Sequence, residues 1–290
     1  MKQLKIFMLI AFIGSLANAQ TGVSGFMKSK GEGSLSLSTA VENYDKVLLV
    51  PSEIDGVPVF NDVQINSYNL YFEYGITDRF NVSLNLPHIT STGNATDAIL
   101  QETGFENERS GFQDMSLNLK YLVAGIDFES SNLNFMANLG FETPLSDYEV
   151  DEGLQSIIAI GNRSTRFNQV GIAQFKMENG FFATGQLGYS VRSDEVPDAI
   201  LSQLKVGYAG SKFYGDVYIG SQKSQSGVDI LGEGFTGFFP ATRVSFTRIG
   251  ANFYVPVYES FGLSAGYASI IDGRNIGKAT TFFGGLNYSF

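Results

Sequence analysis

Between Tyr68 and Leu86 apolar and polar residues take turns. Tyr68, Leu70, Phe72 and Tyr74 alternate with Asn69, Tyr71 and Glu73, and after Thr77, Asp78 and Arg79 the pattern resumes as Phe80, Val82, Leu84 and Leu86 against Asn81, Ser83 and Asn85. A period of two puts one set on each face of a strand, so the stretch predicts a hairpin with one apolar and one polar face. The unit recurs in "MSLNLKYLV" and "SNLNFMANLGF", with apolar sets Met115, Leu117, Leu119 and Tyr121, then Leu133, Phe135, Ala137, Leu139 and Phe141. Further hairpins turn at "MENGFF", "AGSKFY" and "PVYESFG". With the opening "GSLSLSTAV" and the closing "TTFFGGLNYSF", the pattern predicts an all-β chain of about twelve antiparallel strands, an even number as single-chain bacterial membrane barrels have.

Short turns alternate with longer segments around residues 50–62, 89–111, 143–168, 192–199, 223–242 and 271–278. Outer-membrane barrels have short periplasmic turns and long outside loops, so the connections predict a transmembrane antiparallel up-and-down β-barrel. A secreted sandwich or a soluble barrel also alternates, but its apolar face turns inward. Here Tyr68, Tyr74, Phe80, Tyr121, Phe141, Tyr189, Tyr208, Phe213, Phe261 and Tyr288 lie near strand ends on the apolar parity, as interfacial girdles do. Phe282, Leu286, Tyr288 and Phe290 continue that parity through the closing strand. They resemble the signal by which outer-membrane barrels are recognised during assembly, and these four are expected to address the chain to the barrel assembly machinery.

The stretch "MKQLKIFMLIAFIGSLANA" combines two lysines, an apolar run and a small-residue finish at Ala17 and Ala19. It predicts a signal peptide over 1–19, cut before Gln20, with 20–290 as the barrel and 20–33 as a short N-terminal segment. No later run of 18 apolar residues exists, which excludes a helical membrane protein. The expected location is the outer membrane of a Gram-negative-type bacterium, in contact with its lipids and lipopolysaccharide. Removing Lys2 and Lys5 leaves 17 of 19 basic residues against 29 acids, a net charge near −12, which argues against a nucleic-acid partner. With no cysteine there is neither a disulfide framework nor a thiolate site.

Little in the chain is arranged for chemistry. The single histidine, His88, lies near Ser91 in "PHITSTGN". Nucleophilic catalysis needs the base within hydrogen-bond reach of the hydroxyl and a third group to orient it. Thr90 stands where the His-x-Ser spacing of an outer-membrane phospholipase would place serine, so no catalytic residue is expected, and His88 reads as a polar residue at headgroup level. One histidine and no cysteine leave no metal-ligand spacing, and the acid-rich "SDYEVDEG" and "SDEVPD" match no ordered calcium motif; no metal or other cofactor is expected. The polar parity is more informative: Glu73, Lys120, Lys205, Asp216 and Arg248, together with Tyr71, Tyr214, Tyr218 and Tyr254, would line the lumen. Two readings stay open. These residues fill the interior as ion pairs and stacked rings, or they form a constricted path with aromatic rungs for an amphipathic solute.

At "YGITDRFNVSLNLPH", "GFQDMSLNLKYLV" and "GFETPLSDY" the chain resembles the phenol-degradation (MetA-pathway) outer-membrane proteins, relatives of the long-chain fatty acid transporters. The matching positions are Tyr74, Gly75, Thr77, Asp78, Pro87, Gly111, Asp114, Lys120 and Tyr121. The resemblance implies a barrel of about this size and uptake of aromatic or other hydrophobic small molecules. The chain is therefore expected to be a passive channel with a small hydrophobic solute as cargo, and not an enzyme. A closed structural or docking barrel and a phospholipase-like hydrolase are the alternatives. The fatty acid transporters carry an N-terminal plug; with only "QTGVSGFMKSKGEG" ahead of the first strand, a full hatch is not expected here.

Overall fold

The computed structural model describes residues 23–290, so the leader predicted over 1–19 lies outside the described residues. Twelve strands close on themselves: β1 (Gly33–Tyr44), β2 (Val63–Thr77), β3 (Phe80–Gly93), β4 (Asp114–Phe128), β5 (Ser131–Pro144), β6 (Arg166–Met177), β7 (Phe181–Arg192), β8 (Ala199–Ala209), β9 (Tyr214–Ser224), β10 (Ser245–Tyr258), β11 (Phe261–Arg274) and β12 (Thr280–Ser289). Each pairs antiparallel with its sequence neighbours, and β12 returns to β1, which is the up-and-down closure that leaves no free edge.

Register carries the sequence alternation around the wall. Leu84 lies opposite Phe72 and Leu117, and Asn85 opposite Tyr71 and Ser116, so each face continues from strand to strand. The outward set is bare: Leu187 is 65% and Leu204 56% exposed. The inward set holds Asn138, Glu142, Arg166, Gln174 and Ser190, all buried. A water-soluble protein has the opposite distribution, and an apolar band of this extent belongs against lipid.

Aromatic rings gather on this band at the short-turn end, which is the periplasmic end by the rule of loop lengths. One arc runs through Phe72, Tyr74, Phe290, Tyr288 and Phe261, with successive centroids 6.3, 6.5, 5.9 and 5.0 Å apart. A second joins Phe181, Tyr208, Phe213 and Phe253 at 5.4, 5.0 and 6.0 Å. Gly33 and Phe290 exchange backbone hydrogen bonds of 2.8 and 3.0 Å, closing the seam between first and last strands at this rim.

The third strand is longer than its sequence suggested. It passes through Pro87 to Gly93, although the sequence predicts a longer connecting segment from residue 89. Pro87 sits at a break in the neighbouring strand. β4 pairs with β3 as far as Asn85 opposite Ser116, the separate stretch Glu108–Phe112 takes over from His88 onward, and Gln113 between them donates to the Pro87 carbonyl. The missing proline N–H therefore costs little in the ladder to β4.

At the opposite end the loops fold inward over the mouth. A small sheet joins Lys46–Leu48, Glu53–Asp55 and Ile276–Gly277, tying the first long loop to the last. Val57, Phe60, Val63 and Ile158 form an apolar cluster there, with Phe105 stacked on Phe60 at 6.5 Å. The helix Asp97–Thr103 is capped by the Thr96 hydroxyl and ended by Gly104 at φ 72°, a left-handed conformation that glycine adopts without strain. Asp229 accepts 2.7 Å from Arg274 Nε and 2.9 Å from the Asn275 amide, joining the loop after β9 to that after β11. The Arg274 hydrogen bonds, with help from Asn275, hold the Asp229 carboxyl down at about 2.

Candidate functional site

All nine predicted lumen residues occur at inward positions on five strands. Tyr71 and Glu73 lie on β2, Lys120 on β4, Lys205 on β8, Tyr214, Asp216 and Tyr218 on β9, and Arg248 and Tyr254 on β10. The structure brings several together. Asp216 accepts 2.7 Å from the Asn252 amide and 2.5 Å from the Tyr214 hydroxyl, and Lys205 Nζ lies 3.5 Å from it and 5.8 Å above the Tyr218 ring. Lys120 Nζ lies 3.1 Å from Glu73. Arg248 stacks over Phe246, with its guanidinium carbon 5.4 Å from the ring centroid.

The periplasmic half of this interior holds the chain's own N-terminal segment, which the short "QTGVSGFMKSKGEG" had not suggested. Residues 23–32 turn back from the rim at Gly33 and rise to the level of Gln186, midway along β7, whose amide donates 2.6 Å to the Val23 carbonyl. Phe26 is 5% exposed and sits with Phe182, Ala209, Tyr214 and Tyr254. Its ring meets Phe182 edge-on at 5.0 Å and Tyr214 at 6.3 Å, with the Lys176 ammonium 5.6 Å from it. Lys120 donates 2.5 Å to the Phe26 carbonyl and 3.0 Å to that of Ser24. Gly75 makes the approach feasible, because a Cβ there would stand 2.1 Å from the Ser29 carbonyl oxygen. Glu73, Lys120, Tyr214 and Tyr254 thus surround the segment rather than an empty bore. The described residues 23–32 are no full hatch, but these ten make a compact plug.

Above this plug, between barrel wall and inward-folded loops, lies a cavity of about 350 Å³. Ile65, Ile89, Ile157, Ile160, Ile230 and Phe239 supply much of its apolar wall. Arg166, Arg192, Arg248, Glu42 and Gln222 are the polar side chains lower down on the strands. Arg166 and Arg192 fall within segments the sequence predicts as loops, yet both belong to strands. Their inward parity on β6 and β7 was the available signal.

His88 and Ser91 lie three positions apart on one strand, hence on opposite faces: Ser91 is buried inward, while His88 faces out and meets Phe112 edge-on at 5.2 Å. They cannot share a proton. Among the described residues no three His, Asp or Glu side chains converge as a metal site. Three of the seven acids in the two acid-rich loops have partners of their own. Asp147 pairs with Arg163, Glu152 with Arg109 at 2.8 Å, and Asp198 accepts from the Tyr189 hydroxyl at 3.0 Å. In the same loop region Tyr148 donates to Asp114, and burial, reinforced by that carboxylate, raises its phenol and keeps it a neutral donor.

A closed twelve-stranded meander, greasy outside and polar within, with aromatic rings at its short-turn end and long loops at the other, defines an outer-membrane β-barrel of the Gram-negative type. The chain belongs to the family described as "Putative MetA-pathway of phenol degradation", which matches residues 67–282. Among solved structures it is similar to the COG4313 outer membrane channel from Pseudomonas putida F1, at 12% identity and a TM-score of 0.68, over 93% of this chain and 100% of that one. It is also similar to the KdgM porin in complex with disordered oligogalacturonate, at 6% identity and a TM-score of 0.50, over 88% and 99% of the two chains. At these identities both likenesses speak to the fold. No curated protein matches the sequence.

Proposed function

We propose that this chain is a passive outer-membrane channel for small apolar and aromatic compounds. The observation that carries the reading is the cavity at the mouth. Its size suits a small organic molecule, its wall is largely aliphatic, and it lies on the barrel axis between the outside and the plugged interior. Family membership supports the same substrate class, and the similar Pseudomonas putida structure, an outer membrane channel, supports a channel. A general porin needs a wide aqueous bore, whereas the periplasmic half of this interior is filled by the inserted Phe26 packed among Phe182, Tyr214 and Tyr254. Passage past the plug then requires residues 23–32 to shift. Lipid-facing Phe282, Leu286, Tyr288 and Phe290 are proposed to serve recognition by the assembly machinery.

A second reading, a closed structural barrel, draws on that same plug. Uptake separates the two. Cells with an intact lipopolysaccharide leaflet, lacking or expressing the chain, would be given radiolabelled toluene and a radiolabelled disaccharide. Faster toluene entry with the chain, and none for the disaccharide, supports the channel. Equal entry with and without the chain, also after deletion of residues 23–28, leaves the structural barrel.

A further inference from the structure

We infer that the mouth cavity is a binding site for an apolar molecule bearing a single carboxylate, with the carboxylate on Arg192 and the apolar body against the loop isoleucines. This rests on the channel reading and names the solute class its outer site selects. Arg192 is opposite Arg166 in the register of β6 and β7, and like charges directly across a strand pair repel. The two guanidiniums are not equally compensated. Arg166 has Glu142 at 3.5 Å and Asp114 at 3.6 Å, and neither acid lines the cavity.

Among the described residues no carboxylate ion-pairs with the Arg192 guanidinium; Glu142 and Asp198 act on it from farther away, and Asp198 accepts 2.9 Å from its backbone N–H. Arg192 Nη2 donates 2.8 Å to the Gln222 amide oxygen and its Nε 3.2 Å to the Ser190 hydroxyl, both neutral. These account for two of five N–H donors in a planar fork shaped for a carboxylate. Arg166 is only 5% exposed and lines the same cavity, so two guanidiniums stand side by side at its floor. An anion bound between the two arginines would relieve their repulsion. Glu42 is the acid lining the cavity; it accepts 2.7 Å from the Thr281 hydroxyl. The chemistry therefore selects one negative charge at one end of the ligand and hydrocarbon at the other.

The test is calorimetric titration of the folded barrel in a non-ionic detergent with 4-phenylbutyrate, with 4-phenylbutan-1-ol as its uncharged counterpart, and with butyrate as the headgroup alone. The acid should bind about tenfold or more tighter than the alcohol, and butyrate more weakly than either. Arg192→Gln should erase the preference for the acid while leaving the alcohol's affinity unchanged, and Arg192→Lys should keep part of it. Heat-shifted migration on unboiled gels verifies that each variant is folded. Equal affinities for acid and alcohol, or an undiminished preference in a folded Arg192→Gln barrel, overturns the inference. Toluene uptake without any acid preference would sink this proposal alone, whereas acid preference without uptake of any solute would leave it standing and sink the channel reading.

Discussion

The Lys120 ammonium lies 2.5 Å from the carbonyl oxygen of Phe26, while the same nitrogen is 3.1 Å from the Glu73 carboxylate. One buried cation thus fastens a segment without regular secondary structure to the barrel wall. Lys120→Met removes the charge from both partners, and breaking such a pair costs on the order of 3 kcal/mol. Faster deuterium uptake over residues 23–30 and higher conductance in planar bilayers are expected. Unchanged exchange and conductance would show that Lys120 does not hold the plug.

Gly75 offers a way to disturb the plug without touching a charge. Its Cα faces the Ser29 carbonyl so closely that Gly75→Val must displace residues 28 and 29. The barrel wall has no comparable conflict on its lipid side. The variant should keep its heat-shifted gel migration and still show the exchange and conductance changes expected of Lys120→Met; a tight, slowly exchanging segment would contradict the packing described.

The facing of the wall can be checked within one strand. Leu204 points to lipid and Gln203 to the interior of β8. Leu204→Arg near mid-membrane should cost about 2–4 kcal/mol in reversible unfolding from lipid vesicles, and Gln203→Arg distinctly less. Equal costs would mean the register is shifted by one residue.

The loop clamp at Asp229 gives a pH dependence of defined sign. Its carboxyl titrates near 3.8 when free and at about 2 when held by Arg274 and Asn275. A depressed folded value stabilises the ionised, clamped form, so the contribution is complete above about pH 4 and is lost as pH falls through about 2. Proteolytic susceptibility of the 225–244 loop to pepsin, compared between wild type and Asp229→Asn, should converge only at the lowest pH. A difference that persists unchanged below pH 2 would remove the clamp from the explanation.

Phe290 stacks between Tyr74 at 6.5 Å and Tyr288 at 5.9 Å, and its ring covers Gly33. Phe290→Ala should lower unfolding stability by about 1 kcal/mol beyond the area lost. If the ring is also an address, the yield of folded barrel in the outer membrane should fall far more than that difference accounts for. A yield that tracks stability would leave only the packing role.

How legible the molecule was in its sequence follows from the range of the interactions involved. Leu84 and Asn85 declare their faces through immediate neighbours, so wall, lumen parity and girdles could be read from a period of two. Pro87 misled, because whether a proline ends a strand depends on what the adjacent strand does at that height, here the break at Gln113. The plug was invisible for a different reason. Phe26 and Lys120 are 94 positions apart, and residues 23–32 carry no periodicity to betray where they pack. The one local hint was Gly75, a side-chain-free position on the inward parity. Arg166 and Arg192 were hidden by boundary placement, since each stands at the loop end of a strand.

The first and last strands are pinned to each other at both heights. Gly33 and Phe290 share two backbone bonds at the periplasmic rim, and at the mouth the Lys278 amide donates 2.8 Å to the Lys46 carbonyl beside the pairs Leu48–Ile276 and Val47–Gly277. Mechanically the wall is a hoop zipped along its joint between chain ends by ten residue pairs and fastened again at both rims, so parting it sideways there would have to open the whole seam. Inside the hoop lies a strap of ten residues without strand structure, held by one aromatic nest, by Lys120 and Gln186, and by backbone bonds from residues 31 and 32 to Gly75, so that it is the tether at Gly75 that ties its motion to the wall.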